Sequence, residues 1–172
     1  MKKWFEFLRE ARESTDYDQY IMDHWREVDD PNIWLKICAE PMSLAFIERC
    51  IDYVNWRCVC SYSVLTEDFI EKYEDKVDWR SISAYQTFGL EFAKKHRYQL
   101  EWNTLVGRFR YPEQFLLELI NDPNINLDIG VAISNQSFTR ENAEMLTKRY
   151  CQQEIENSLL ARERRLKESE AM

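Results

Sequence analysis

The 172-residue chain predicts an all-α, solenoid-like stack of about five 23-residue, two-helix repeats, with N-terminal helices before it and a long C-terminal helix after it. The first observation behind this is composition. Three glycines and four prolines leave little material for the tight turns of an antiparallel sheet. The second is a recurring tryptophan. Val54-Asn55-Trp56, Val77-Asp78-Trp79 and Leu100-Glu101-Trp102 align without gaps, with the tryptophans 23 residues apart. Ten residues before each lies Phe46, Phe69 or Phe92, and three residues after each lies Val59, Ile82 or Leu105. Phe115 carries the series into the next unit. A fixed period of this size is the signature of a repeat array.

Residues 1–29 read as two N-terminal helices, with Trp4, Phe5 and Leu8, then Tyr17, Tyr20, Ile21 and Trp25 as apolar positions. Residues 30–139 hold the repeats. The first helix of each unit carries a stripe at i, i+4 and i+8: Met42, Phe46, Cys50; Leu65, Phe69, Tyr73; Phe88, Phe92, His96; Tyr111, Phe115, Leu119. Residues four apart share a helix face, so each stripe forms one seam. Ser43, Thr66 and Thr139 are placed as N-caps, and Pro112 near the first helical position of its unit. The second helix starts at the tryptophan, behind the N-caps Asn55 and Asp78. Positions +1 and +5 then face away from the buried side, which exposes Arg57, Arg80 and Asn103 in a row.

The flanking units deviate. Asp30-Pro31-Asn32-Ile33-Trp34-Leu35 echoes Asp122-Pro123-Asn124-Ile125-Asn126-Leu127, which places leucine in the tryptophan column of both. Residues 140–172 read as one long helix whose Arg162, Arg164, Arg165 and Lys167 complement the helix dipole.

Apolar residues at 45% and aromatics at 14% describe a packed chain of one domain. No apolar run approaches the roughly 20 residues that cross a bilayer, so no membrane partner is expected. Glu6, Arg9 and Glu10 break up any leader-like stretch. Five cysteines (Cys38, Cys50, Cys58, Cys60, Cys151) without CxxC spacing read as reduced, buried thiols of a cytoplasmic protein. The net charge is −8, with residues 131–172 carrying seven charges of each sign. No basic stripe marks a nucleic-acid channel.

Two resemblances follow from these residues. Asp122-Pro123-Asn124-Ile125-Asn126, through Ala132-Ile133-Ser134-Asn135-Gln136, to Thr139 and Leu146 resembles a unit of the leucine-rich repeat variant family. That likeness implies short α and 3₁₀ helices in a right-handed superhelix. The iron–sulfur cysteine cluster of some members has no counterpart in this sequence. Phe69-Ile70-Glu71-Lys72-Tyr73 to Val77-Asp78-Trp79-Arg80-Ser81-Ile82-Ser83 resembles the tryptophan-containing helical repeats of large DNA viruses and bacteriophages. The two likenesses span roughly residues 30–150. They imply an architecture, and by analogy a viral accessory protein acting in the host cytoplasm on a host protein.

Catalytic, cofactor and metal residues are expected to be none, although plentiful carboxylates leave an all-carboxylate metal site open. His96 shares the column of Cys50 and Tyr73 and reads as structural, while His24 has no second histidine or cysteine beside it. Gly89, Gly107 and Gly130 are too scattered for a phosphate loop. The leading expectation is a non-catalytic module that binds a protein partner through Arg57, Tyr62, Arg80, Tyr85 and Arg108, residue types enriched at interfaces. The competing reading has each tyrosine packed on the next repeat and each arginine paired with a carboxylate. The alternative function is nucleic-acid binding through Lys94, Lys95, Arg97, Arg108 and Arg110, with Tyr98 and Phe109 among them. A third surface is acidic: Glu13, Asp16, Asp18, Asp23, Glu27, Asp29 and Asp30.

If units shelter one another's rings, Trp79→Ala removes roughly 3–5 kcal/mol of stability and Arg80→Ala almost none. Thermal melting of the two variants checks this, and equal curves would defeat the repeat.

Overall fold

A computed structural model describes residues 2–28 and 30–170, apart from the side chains of Ser158, Arg162, Glu163 and residues 165–170. The chain divides into two compact units, Met1–His96 and Arg97–Met172. Twelve α-helices appear among the described residues, with one isolated bridge between Lys2 and Val28. The all-α, repeat-built architecture expected from the sequence is the one that forms.

In the first unit the helices are α1 (Trp4–Glu13), α2 (Tyr17–His24), α3 (Ile33–Ile37), α4 (Leu44–Arg49), α5 (Trp56–Tyr62), α6 (Glu67–Lys72), α7 (Trp79–Tyr85) and α8 (Leu90–Lys95). A 3₁₀ turn, Trp25–Glu27, follows α2. The second unit holds α9 (Trp102–Arg108), α10 (Glu113–Asn121), α11 (Ile129–Asn135) and α12 (Arg140–Glu170). Helices of six or seven residues do not hold themselves, since nucleation outweighs so few hydrogen bonds. They persist through packing between alternate helices: α5 lies against α7 in the first unit, and α9 against α11 in the second.

The caps follow the sequence closely. Ser43 and Thr66 accept from the N–H groups of Phe46 and Phe69, and Asn55 and Asp78 from those of Cys58 and Ser81. Pro112 sits one position earlier than expected, as the N-cap of α10. Thr139 precedes α12, but its hydroxyl donates to Glu113 Oε1 at 2.9 Å. The stripes are shorter than a continuous helix face. Met42 and Leu65 lie in the connection before the cap, and Cys50, Tyr73 and His96 close the helix as C-caps. The stripe residues are nevertheless buried or half-buried throughout.

The tryptophans seat on the next unit's rings. Trp56 lies 6.4 Å from Phe69 and 5.4 Å from Tyr73, and Trp79 lies 6.3 Å from Phe92 and 4.9 Å from His96. In the second unit Trp102 meets Phe115 and Tyr111 edge-on, each at 5.5 Å. The column that offered Tyr73 and His96 supplies aliphatic Leu119 there.

Polar contacts repeat at the same period. Met42 N–H donates to Ser63 Oγ, and Leu65 N–H to Gln86 Oε1. The Gln86 amide nitrogen also donates to the carbonyls of Cys60 and Ser63, each at 2.8 Å. Gln136 forms the same staple in the second unit, accepting from Tyr111 N–H and donating to the carbonyls of Val106 and Phe109. Outside the core, Glu48 takes Lys72 and Tyr73, and Glu71 takes Lys95 and His96. The hydrogen bond from Lys95, then that from His96, draws the Glu71 carboxyl below its ordinary value.

Three expectations are corrected. The tryptophan column of the flanking units holds Ile33 and Ile129, not leucine, because the helices start there. Leu35 is exposed and Leu127 lies buried in the connection ahead of α11. In α1 the buried face is Phe7, Leu8 and Ala11, while Trp4 and Phe5 are exposed. The cysteines are not uniformly buried: Cys38, Cys50 and Cys60 are, Cys58 is half-buried and Cys151 is exposed. Arg164 falls in the last turns of α12, whereas Arg162, Arg165 and Lys167 have side chains outside the described residues.

Gln86 is buried, and truncating it strands two carbonyls and an N–H at once. Gln86→Ala is expected to cost about 2–3 kcal/mol in urea denaturation. A loss no larger than that of an exposed substitution such as Thr87→Ala would remove the staple from the list of structural contacts.

Candidate functional site

The five residues of the expected interface fall in both units. Arg57, Tyr62, Arg80 and Tyr85 belong to the first, on α5 and α7, and Arg108 ends α9 in the second. The caps Asn55 and Asp78 fix where each helix begins, so corresponding side chains emerge at matching positions on two helices in contact.

Tyr62 and Tyr85 are 55% and 60% exposed. They line a groove of about 200 Å³ together with Ser61, Ser63, Val64, Leu65, Gln86 and Thr87. Its floor is the Gln86 staple, which fixes the extended segments after α5 and α7. Val64, 85% exposed, stands on the rim. It escaped the sequence reading because it lies in the connection beyond the helix, where helical periodicity says nothing. Its β-branched side chain next to a polar C-cap, Ser63, was the only signal.

Arg57 and Arg80 do not line this groove; they stand at the other end of the same helices. Both are exposed, and among the described residues neither forms an ion pair or a side-chain hydrogen bond. Nearby cations on the first-helix face behave differently. Lys72 pairs with Glu48, Lys95 with Glu71 and Lys94 with Glu91. Asn103, expected in the same exposed row, is half-buried and accepts from Asp128 N–H at 2.8 Å. Packing of α9 against α11 claims it.

The residues of the nucleic-acid alternative are similarly divided. Lys94 and Lys95 lie in the first unit, paired as above. In the second unit the Arg97 guanidinium lies 4.9 Å from the Tyr98 ring centre, and the Arg108 guanidinium 4.7 Å from that of Phe109. Arg110 is exposed after α9. Tyr98, 57% exposed, donates its hydroxyl to Asp122 at 3.1 Å and carries Arg97 on one face of its ring.

The acidic N-terminal segment is largely occupied by local contacts. Asp16 caps α2, Asp18 accepts from Ser43, and Asp23 accepts from Gln19. Glu27 meets His24, and Asp30 meets Lys36. Glu13 is exposed, and Asp29 lies outside the described residues. His96 is buried against Trp79 and Phe92, which accounts for its position in the seam. Among the described residues no group of three or more His, Cys, Asp or Glu is arranged to hold a metal ion.

Three features were not singled out in the sequence. Trp25, Trp34 and Tyr53 form a cluster, with Trp34 and Tyr53 stacked at 5.4 Å, closed by Arg26 over the Trp25 ring at 4.4 Å. In the second unit a cavity of about 300 Å³ opens between the 122–128 connection and α12. That unit is four residues longer than 23, with 27 residues from Trp102 to Ile129, and three of the four lengthen α10. A Cβ at Gly130, beside the cavity, would lie 2.9 Å from the Tyr150 ring, so a side chain there would displace that ring.

No protein-family model matches the chain, and comparison with curated proteins and with solved structures returns no match.

Burial raises the thiols of Cys38 and Cys60 to about 11 and that of Cys50 to about 12. At pH 8 their thiolate fractions are on the order of one in a thousand or less. Ellman's reagent is therefore expected to modify Cys151 rapidly in the folded protein and these three only on unfolding. Rapid reaction of more than two thiols under native conditions would contradict the packing.

Proposed function

We propose that the protein is a non-catalytic helical-repeat module that holds a protein partner on the exposed edge of α5 and α7. The observation that carries this reading is the groove built from Tyr62, Val64 and Tyr85, which the neighbouring repeats leave uncovered. Rigid tyrosines beside an aliphatic rim suit a protein surface, because they supply large contact area at little conformational cost. Tyrosines in the repeat core, by contrast, are drawn inward: Tyr73 against Trp56, and Tyr111 against Trp102. The edge tyrosines could have packed the same way and do not.

Affinity capture from the native host, with mass spectrometry, tests the proposal. The full chain is expected to recover a partner that Tyr62→Ala/Tyr85→Ala fails to recover, while both baits melt within a few degrees of each other. Recovery unchanged by the double substitution would move the interface elsewhere, and no stable protein partner at all would end the proposal.

A further inference from the structure

We infer that the partner segment seated on this edge is an acidic peptide in extended conformation, an inference that rests on the protein-binding reading above. The reason is a pair of exposed arginines, Arg57 and Arg80, that form no ion pair among the described residues of a chain of net charge −8. On the first-helix face Lys72 and Lys95 are met by Glu48 and Glu71 of the preceding repeat, Lys94 by Glu91 of its own helix, and Arg49 by the Gln19 amide. On the second-helix face Arg57 and Arg80 occupy the same position of two adjacent repeats, and among the described residues no carboxylate meets either. A periodic fold that supplies an acid for one column of cations and none for the next leaves the second column to an outside anion. Arginine suits this role, because its planar fork takes a carboxylate through two parallel hydrogen bonds.

Spacing sets the form of the ligand. Packed helices lie about 8–10 Å apart, so Arg57 and Arg80 stand roughly one such interval from each other. In an extended chain of polyproline II form, with three residues per turn and a rise of about 3.1 Å per residue, carboxylates three residues apart lie on one face about 9 Å apart, which matches that interval. The tyrosine groove at the far end of the same helices then receives an apolar side chain of the same segment. Phosphate polymers fit less well. Two uncompensated cations release about two counterions, a weak hold on a polyanion.

The test begins with a displayed library of random dodecapeptides selected on the full chain at low salt. Enriched peptides are synthesised with a fluorescent label and titrated by anisotropy. Acidic sequences with Asp or Glu about three residues apart are expected. Their affinity should fall roughly tenfold for each arginine removed in Arg57→Ala and Arg80→Ala, and should also fall with rising salt. Arg57→Lys/Arg80→Lys should restore only part of the loss, since lysine keeps the charge without the fork. Enriched peptides that are neutral, and lost in Tyr62→Ala/Tyr85→Ala but not in the arginine variants, would overturn the acidic assignment and leave protein binding standing. An empty selection would overturn both. A labelled single-stranded oligonucleotide that binds more tightly than any peptide and depends on the same arginines would also overturn the inference.

Discussion

Every regular feature of this protein depends on one contact, the indole of a second helix laid on the aromatic residues of the following first helix. Trp56 on Phe69 and Tyr73, and Trp79 on Phe92 and His96, are the same contact made twice in the first unit. It is indispensable because the helices are too short to persist alone. A ring spanning two consecutive repeats buries apolar area that neither could bury by itself, which is how repeat arrays gain stability. The 23-residue period is therefore a packing constraint: caps, stripes and loops must return each ring to the same place.

A periodic aromatic core fixes distance between repeats but leaves the connections free to slide. Buried polar contacts remove that freedom. Gln86 and Gln136 each satisfy one carbonyl in the last turn of the preceding second helix, the carbonyl of its C-cap and one N–H of the connection beyond it, so a displaced loop would leave buried groups unpaired. The two staples reach 21 and 25 residues back, and the four extra residues before α11 account for the difference. The longer unit keeps the device; three of its four extra residues lengthen α10 and one lies in the connection that lines the cavity.

The same periodicity determines which surface is free. Residues that recur on the first-helix face meet a partner one repeat later, as Glu48 meets Lys72 and Glu71 meets Lys95. Among the described residues Arg57, Arg80, Tyr62 and Tyr85, at the ends of α5 and α7, have no such side-chain partner. Repetition thus turns single exposed side chains into matched pairs on neighbouring helices, which is how repeat proteins display extended recognition surfaces.

Fold class, period, N-caps and the seam residues were legible in the sequence because each is local. A cap acts within three residues, and a stripe repeats every four. The helix starts at Ile33 and Ile129 were not, since isoleucine in the tryptophan column carries no visible mark until the caps are aligned. Nor was the buried face of α1, where Trp4 and Phe5 are the larger apolar residues but Phe7 and Ala11 face the core. The candidate site divides the same way. Its four residues on α5 and α7 follow from counting along the repeat. That Arg57 and Arg80 meet no carboxylate among the described residues, that Val64 joins the tyrosines, and that Asn103 is withdrawn by Asp128 depend on groups distant in sequence. Periodicity specifies the direction in which a side chain leaves its helix. Only the folded chain decides what, if anything, it meets there.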